Sequence, residues 1–257
     1  MGRMSSRFRP LAMWAAPLAA MMLGAAAPAP HGADFSGIWM PNEGVMFDPG
    51  ARGPAGLPGS TGARSHPPYT PEYEAIYQKL LADAAAGHPK ADPPASCLPP
   101  GFPRIMTSPF PLEILQTPGQ VTMLHEYMSQ VRRIFTDGRK HPDKEDLYPL
   151  FNGHSIGHWE GPVLVVDTIS LHGDSPFDTT GLPHSDAIHV TERIRLTAPL
   201  KMEDQITIDD AKAFTKPWVV TRTYTKKPDF QILQYVCEEN NRNPVDKDGN
   251  TTTVLAK

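Results

Sequence analysis

Histidine is concentrated in one part of this chain, because seven of its ten histidines lie within residues 125–189. The seven are His125, His141, His154, His158, His172, His184 and His189. Histidine titrates near neutral pH and is a common metal ligand, so a local excess predicts a site that moves protons or holds a cation. Acidic residues and arginines are interspersed with these histidines, as such a site requires.

The sequence from Gly153 to Gly161 contains the first candidate group. If it forms an extended strand, its side chains alternate between two faces. One face then carries His154, Ile156, His158 and Glu160, and the other carries Trp159. Histidines at i and i+4 on a straight strand lie roughly 13 Å apart, so one metal ion cannot bind both unless the strand has a bulge. Either histidine could instead act with a distant histidine or carboxylate, because zinc takes three or four such ligands.

The second candidate is the loop residue His184, which precedes a predicted strand containing His189, Glu192 and Arg193. A loop histidine at the mouth of a barrel is well placed for proton transfer, because barrel mouths commonly bind ligands. The alternative is a hydrogen-bonded turn in which His184 only pairs with backbone groups.

The third candidate lies on a predicted long strand over residues 121–136. Alternation places three polar side chains on one face: His125, Tyr127 and Arg133. Such a row inside a barrel is costly unless it is paired or binds a ligand. If this face is outside, Glu126 becomes the buried acid, and it would pair with an arginine such as Arg104 or Arg193.

Asp167 follows an apolar run, where its carboxylate could orient a histidine or cap a turn. The predicted catalytic residues are His154, His158, His184, His189, Glu126, Arg133, Asp167 and Glu192. The predicted substrate-binding residues are Tyr127, Trp159 and Arg104. No metal ligand is assigned and no cofactor is expected; a divalent metal bound by the histidines is the alternative.

One helix is predicted at Pro71–Ala86. Thr70 can cap it, Pro71 suits its first turn, and Gly87 can end it. The preceding Gly50–Pro68 is rich in Gly, Pro, Ala and Ser, and predicts an irregular loop.

The rest of the chain predicts β-structure, with short strands separated by turn residues such as Pro118-Gly119 and Gly161-Pro162. With only one helix, this pattern is typical of a single antiparallel barrel or sandwich with long Pro- and Gly-rich loops. The predicted strands are Phe35–Met40, Leu112–Thr117, Val121–Thr136, His154–Glu160, Val163–Leu171, His189–Thr197, Gln205–Asp209, Trp218–Tyr224 and Gln231–Cys237.

Residues 1–30 have the pattern of a secretory signal peptide. Arg3, Arg7 and Arg9 precede an uncharged run from Leu11 to Ala27, and small residues follow. The run is near the lower limit for spanning a bilayer, so a membrane anchor is the alternative. We expect a periplasmic or secreted protein without stable membrane insertion, with residues 31–257 forming one β-rich domain.

The two cysteines, Cys97 and Cys237, predict a disulfide in an oxidising compartment; two buried thiols are the alternative. The net charge of the full chain is −4. Without residues 1–30, which hold three arginines and no acids, the chain is more acidic still. Nothing electrostatic therefore favours nucleic acid as a partner, and a small molecule is the expected partner. The oligomeric state is left open.

Two parts of the sequence resemble known proteins. The stretch from Phe35 to Trp39 resembles the Gly-x-Trp first strand of lipocalin-type barrels, which implies a lipocalin-like fold with the Trp packed across the barrel floor. A more extensive set of motifs resembles a widespread, largely uncharacterised family of secreted bacterial proteins, which implies export and one β-rich domain but no catalytic residues. These motifs are CLPPGFPRIM at 97–106, RIFTDGRKHP at 133–142, GHSIGHWEG at 153–161, LVVDT at 164–168, GLPHS at 181–185 and TER at 191–193.

The chain lacks a Gly-x-Ser-x-Gly elbow, a phosphate-binding loop, a dinucleotide fingerprint and a His-Glu-x-x-His motif. The histidines mixed with acids and arginines favour a cofactor-independent lyase or isomerase acting on a small, partly apolar molecule, aromatic ones included. Retro-aldol carbon–carbon cleavage or a proton shift would fit these groups. A lipocalin-like binding protein for an apolar ligand and a metal-dependent enzyme are the alternatives.

Overall fold

The computed structural model describes residues 32–45, 47, 67–88 and 90–239. Nine strands form a closed barrel in chain order, which confirms the predicted mainly β, barrel-type fold. The strands are β1 (Gly37–Pro41), β2 (Leu112–Thr117), β3 (Gln120–His125), β4 (Gln130–Phe135), β5 (His154–Glu160), β6 (Val163–Ile169), β7 (His189–Ala198), β8 (Lys201–Asp209) and β9 (Trp218–Lys226). The predicted signal peptide lies outside the described residues, as does most of the predicted Gly50–Pro68 loop.

Strand pairing is antiparallel at every position of the barrel but one. β1 closes the barrel against β9, with Trp39 opposite Lys226. The exception is β4 and β5, which run parallel with Ile134 opposite Ser155. Parallel neighbours cannot be joined by a tight hairpin, and residues 136–153 form a long connection between them.

Large side chains fill the barrel interior. Alternating positions of the strands are buried, as in β8, where Met202, Asp204, Ile206 and Ile208 are inside. Trp39 and Tyr224, both fully buried, are among the bulkiest residues of this core. Side chains can fill a barrel of this size, although other small barrels hold one ligand inside.

The single α-helix of the described residues, α1 (Pro71–Ala85), forms as predicted and ends one residue earlier. The Thr70 hydroxyl accepts a hydrogen bond from the backbone N–H of Tyr73 at 3.4 Å, which confirms the predicted N-cap. Tyr77 is the buried residue of the helix and packs against Tyr69, with ring centroids 5.8 Å apart. Among the described residues, no helix has the length and apolar character to cross a membrane.

The predicted continuous strand over residues 121–136 is wrong. The chain reverses at a short 3-10 turn, Tyr127–Ser129, between β3 and β4. Met128 and Ser129 have φ values of 55° and 50°, a left-handed conformation that residues other than glycine seldom adopt. The reversal shifts the alternation, so that Arg132 is buried and Arg133 is exposed.

The predicted strand Gln231–Cys237 is also wrong, because this segment is irregular. β9 is already paired with both β8 and β1, and a closed barrel leaves no edge for a further strand. The predicted disulfide between Cys97 and Cys237 is present, with the Cα atoms 5.6 Å apart. It ties the segment after α1 to the segment after β9, and it is compatible with an extracellular or periplasmic protein.

Candidate functional site

The histidines of the predicted cluster lie in separate environments. His125 is buried inside the barrel, and His184 is a buried residue of the connection from β6 to β7. Outside the barrel, two others hydrogen-bond to one carboxylate and a third contacts one of these two. We call this group the histidine–aspartate chain: His154, His141, Asp167 and His189.

Three adjacent strands position the histidine–aspartate chain. His154 is the first residue of β5, Asp167 lies near the end of β6, and His189 is the first residue of β7. Because antiparallel neighbours run in opposite directions, the end of β6 lies between the starts of β5 and β7. His141 comes from the long connection between β4 and β5.

The hydrogen bonds of this chain determine where its protons lie. Asp167 Oδ1 is 2.9 Å from His141 Nε2 and 3.0 Å from His189 Nε2. A carboxylate only accepts, so both Nε2 atoms donate. His141 Nδ1 lies 2.8 Å from His154 Nδ1. When His141 is neutral its Nδ1 is an acceptor, so the Nδ1 of His154 donates and the Nε2 of His154 carries a lone pair.

The direction of the histidine pKa shift differs between the two ends of the histidine–aspartate chain. The hydrogen bond to Asp167 raises the pKa of His189 above its usual value. Burial lowers the pKa of His154, and the nearby His141 and Arg139 lower it further. The hydrogen bond from His189 lowers the pKa of Asp167. One end therefore favours a protonated imidazole and the other a neutral one.

An aromatic and a cationic group border the His154 end. The Phe135 ring centroid is 5.6 Å from that of His154. The guanidinium carbon of Arg139 lies 3.9 Å from the centre of the same Phe135 ring. Arg139 also pairs with Asp137 on the surface. A ligand at His154 would thus meet one apolar face and one positive charge.

His158 does not join the chain. It lies on the same outward face as His154, as alternation predicted, but its Nε2 is 3.4 Å from Glu160 Oε1 at the exposed end of β5. The pairing of β5 with β6 is continuous through Gly157, so the described strand has no bulge there. Arg193 pairs with Glu160, which makes its predicted partnership with Glu126 wrong.

Glu192 lies inside the barrel rather than with the outer histidines. It forms a buried ion pair with Arg132, whose Nη1 donates to Glu192 Oε1 at 2.8 Å and whose Nη2 donates to Oε2. Arg132 Nη2 also donates to the Thr168 hydroxyl at 2.9 Å. The Phe102 ring centroid is 3.7 Å from the Arg132 guanidinium carbon. Arg132 Nε also donates to the Ser155 hydroxyl at 3.3 Å, so all three guanidinium nitrogens have a partner, which is typical of a structural ion pair.

Two further ionisable groups occupy the same interior. Burial raises the pKa of Asp204 well above its usual value, and the negative charge of Glu192 raises it further. Burial lowers the pKa of His125 to about 3, helped by the charge of Arg132. His125 is therefore neutral at physiological pH, and the environment of Asp204 favours its protonated form.

The remaining predicted residues serve local structure. Glu126 Oε2 accepts the backbone N–H of Leu233 at 2.8 Å and so anchors the segment after β9. Arg104 pairs with Asp92 rather than with Glu126, which corrects the prediction. Tyr127 stacks on Phe110 with ring centroids 5.5 Å apart.

Side-chain direction separates two further predicted residues from the outer histidines or from the barrel interior. Arg133 points outward from β4 and is exposed, so it does not share a face with a buried site. Trp159 lies on the opposite face of β5 from His154, as alternation predicted, where it is partly buried against the core and stacks on Phe35 with ring centroids 5.7 Å apart.

The metal alternative has limited geometric support. Among the described residues, no group of three or more His, Cys, Asp or Glu is arranged to hold a metal ion. In the histidine–aspartate chain, His141 uses Nδ1 toward His154 and Nε2 toward Asp167, so the polar atoms follow one another in a row rather than surrounding one point. A row of this kind suits proton transfer better than metal coordination.

Sequence reasoning did not assign roles to two residues that matter here. His141 belongs to the histidine cluster and to a family motif, but no strand pattern could place it beside Asp167. Arg132 has no predicted role, because the alternation without a reversal at Tyr127–Ser129 places Arg133 on the face of His125.

No protein-family model matches the chain, and no curated protein matches it either. The resemblances drawn from the sequence motifs therefore stay predictions.

Proposed function

We propose that the protein is a cofactor-independent acid–base lyase or isomerase, and that the histidine–aspartate chain is its catalytic centre. One observation carries this proposal: a single oxygen, Asp167 Oδ1, accepts hydrogen bonds from both His141 and His189. A carboxylate in this position fixes the tautomer of an imidazole and stabilises its charged form.

The two ends of the histidine–aspartate chain suit opposite proton-transfer roles. His154, with its lowered pKa and its Nε2 lone pair, is the general base. His189, with its raised pKa, is the general acid. Groups whose pKa values are pushed apart by their surroundings are typical of paired acid–base catalysis. His141 is the positioning residue that links the base to Asp167.

Two reactions balance with these roles. In a retro-aldol cleavage, His154 takes the proton of the β-hydroxyl, the carbon–carbon bond breaks, and the electron pair left on the α-carbon takes a proton from His189. In a proton shift, His154 removes a proton from one carbon and His189 returns one to another. Phe135 beside His154 supports a substrate with an apolar portion.

The barrel interior gives less support to the binding-protein alternative. Lipocalin-type carriers hold cargo inside the barrel, but here Trp39, Arg132, Arg222 and Tyr224 are fully buried within it. A periplasmic or secreted location is part of the proposal, and the disulfide supports it.

The test is proton exchange with solvent. The protein is incubated in D₂O with a panel of small β-hydroxy ketones and β,γ-unsaturated ketones, and NMR follows deuterium uptake and cleavage. Asp167→Asn and His154→Gln should slow the reaction by roughly 10²–10⁴-fold, the usual contribution of general acid–base groups. His158→Gln is the matched control, because His158 lies on the same strand face outside the chain. Equal rates in all three variants would contradict the proposal.

A further inference from the structure

A cleft of about 220 Å³ lies between helix α1 and the connection from β6 to β7. Tyr73, Ile76 and Leu80 line it from the helix, at the spacing that places side chains on one helix face. Residues 173–184 supply most of the opposite wall. The cleft shares no lining residue with the histidine–aspartate chain.

His184 is a buried polar residue of this cleft, with only 6% of its surface exposed, and Ser175 and Asp178 are further buried polar residues of the lining. Its Nδ1 lies 2.8 Å from the backbone carbonyl oxygen of Ser185. A carbonyl oxygen only accepts, so Nδ1 carries the proton and Nε2 of the neutral ring is an acceptor. Nε2 is buried and has no hydrogen-bond partner among the described residues.

The surroundings of His184 keep this arrangement in place. Burial lowers the pKa of His184, and the carbonyls of Ser185 and Ser175 only partly oppose this effect. The Phe177 ring packs on the imidazole with centroids 4.8 Å apart. Ser185 is itself held by Asp210, which accepts both its backbone N–H and its hydroxyl. The imidazole is therefore rigidly oriented, which lowers the entropic cost of binding a partner.

The shape and chemistry of the cleft define the ligand class. An apolar cavity of about 150 Å³ accommodates benzene, so 220 Å³ suits one substituted ring. Ile76, Leu80 and Pro183 provide apolar contact for the faces of such a ring. A buried acceptor without a partner favours a ligand that carries a donor.

We propose that this cleft is a binding site for a small single-ring aromatic molecule, whose hydroxyl donates a hydrogen bond to His184 Nε2. The proposal does not rest on the function proposed for the histidine–aspartate chain. Binding in the cleft and catalysis by the histidine–aspartate chain are measured in separate experiments. Either proposal can therefore be refuted while the other holds.

The test compares 4-methylphenol with toluene, which lacks only the hydroxyl, in protein-detected NMR titrations of the full chain. Amide shifts should map to α1 and residues 173–184. 4-Methylphenol should bind about tenfold more tightly than toluene, the effect of one hydrogen bond to a buried acceptor. Shifts confined to another region, or no saturable shift up to about 10 mM of 4-methylphenol, would overturn the proposal.

Three variants separate the parts of the argument. Ile76→Trp fills the cleft from a partly exposed helix position and should weaken both probes at least about tenfold. Gln78→Trp, on the opposite helix face, is the matched control and should change neither. His184→Phe keeps the ring packing on Phe177 and should bring the two probes to equal affinity. Unchanged binding in Ile76→Trp, or a persisting preference for 4-methylphenol in His184→Phe, would contradict the proposal.

Discussion

Asp167 and His189 are joined by a 3.0 Å hydrogen bond between neighbouring strands, although their backbones are not opposite each other. The residue directly opposite Asp167 on β7 is Thr191, so His189 reaches back two positions along the same outward face. The pair places a carboxylate against an imidazole at the partly exposed surface of the barrel, where solvent screens it incompletely.

The first prediction concerns the titration of His189. Asp167→Asn should lower the pKa of His189, because the hydrogen bond to Asp167 is the main cause of its elevation. NMR titration of the imidazole signals measures this change. Glu160→Gln is the control, since Glu160 contacts His158 and Arg193 rather than His189. An unshifted His189 in Asp167→Asn would show that another charge, such as Asp209, holds the proton.

The pair of Asp167 and His189 also predicts how the free energy of unfolding changes with pH. The raised pKa of His189 contributes stability that is complete below the pKa of the unfolded histidine and is lost as pH rises through the folded pKa. The lowered pKa of Asp167 contributes stability that is lost as pH falls through its folded value. Urea unfolding from pH 3 to pH 9 should therefore show both losses diminished in Asp167→Asn. A pH profile identical to that of the wild type would exclude this linkage.

The second prediction concerns the buried ion pair. Glu192→Gln leaves Arg132 charged inside the barrel without its partner, and removing one member of such a pair costs about 3–5 kcal/mol. The free energy of unfolding in urea measures the loss. Arg193→Gln, one residue along and in an exposed pair, should cost less than about 1 kcal/mol. Equal losses in the two variants would refute a special role for the interior pair.

The third prediction concerns Asp204. Its raised pKa means that the folded protein keeps a proton which the unfolded chain releases above the usual aspartate pKa of 3.8. Wild-type stability therefore falls as pH rises through this range. Asp204→Asn mimics the protonated acid, so the variant should gain stability relative to the wild type between pH 3 and pH 7. A stability difference that does not change with pH would show that Asp204 is ionised in the folded state.

The fourth prediction concerns the disulfide. The replacement of Cys97 and Cys237 by serine should lower the free energy of unfolding by about 3–5 kcal/mol, since the bond closes a loop of 140 residues in the unfolded chain. Thermal unfolding with and without a reductant measures the effect. The reductant should destabilise the wild type and leave the double variant unchanged. Sensitivity of the double variant to the reductant would point to a different cause.

The barrel could be predicted because alternation and turn residues are local features. β2 and β5 have the predicted bounds, and the outward direction of His154 follows from period-two alternation. The reversal after β3 could not be predicted, because Met128 and Ser129 adopt left-handed conformations without the glycine or asparagine that usually signals them.

Only part of the candidate site could be predicted from the sequence. His154, Asp167 and His189 were identified by residue type, and a role for Asp167 in orienting a histidine was foreseen. Their meeting depends on strand register, which a single sequence does not give. His141 could not be placed because it lies in a connection whose path is determined by tertiary packing rather than by periodicity.

The parallel pairing of β4 and β5 is related to the odd number of strands in the barrel. Around a closed ring, strand direction must return to its starting sense, so a strictly up-and-down barrel needs an even number of strands. Nine strands therefore require an odd number of parallel neighbour pairs, and here there is one, β4 and β5. A ten-strand or eight-strand ring could close with hairpins alone and would have no need of residues 136–153. The odd number thus accounts for the connection of residues 136–153, which brings His141 and Arg139 to the outer surface beside β5.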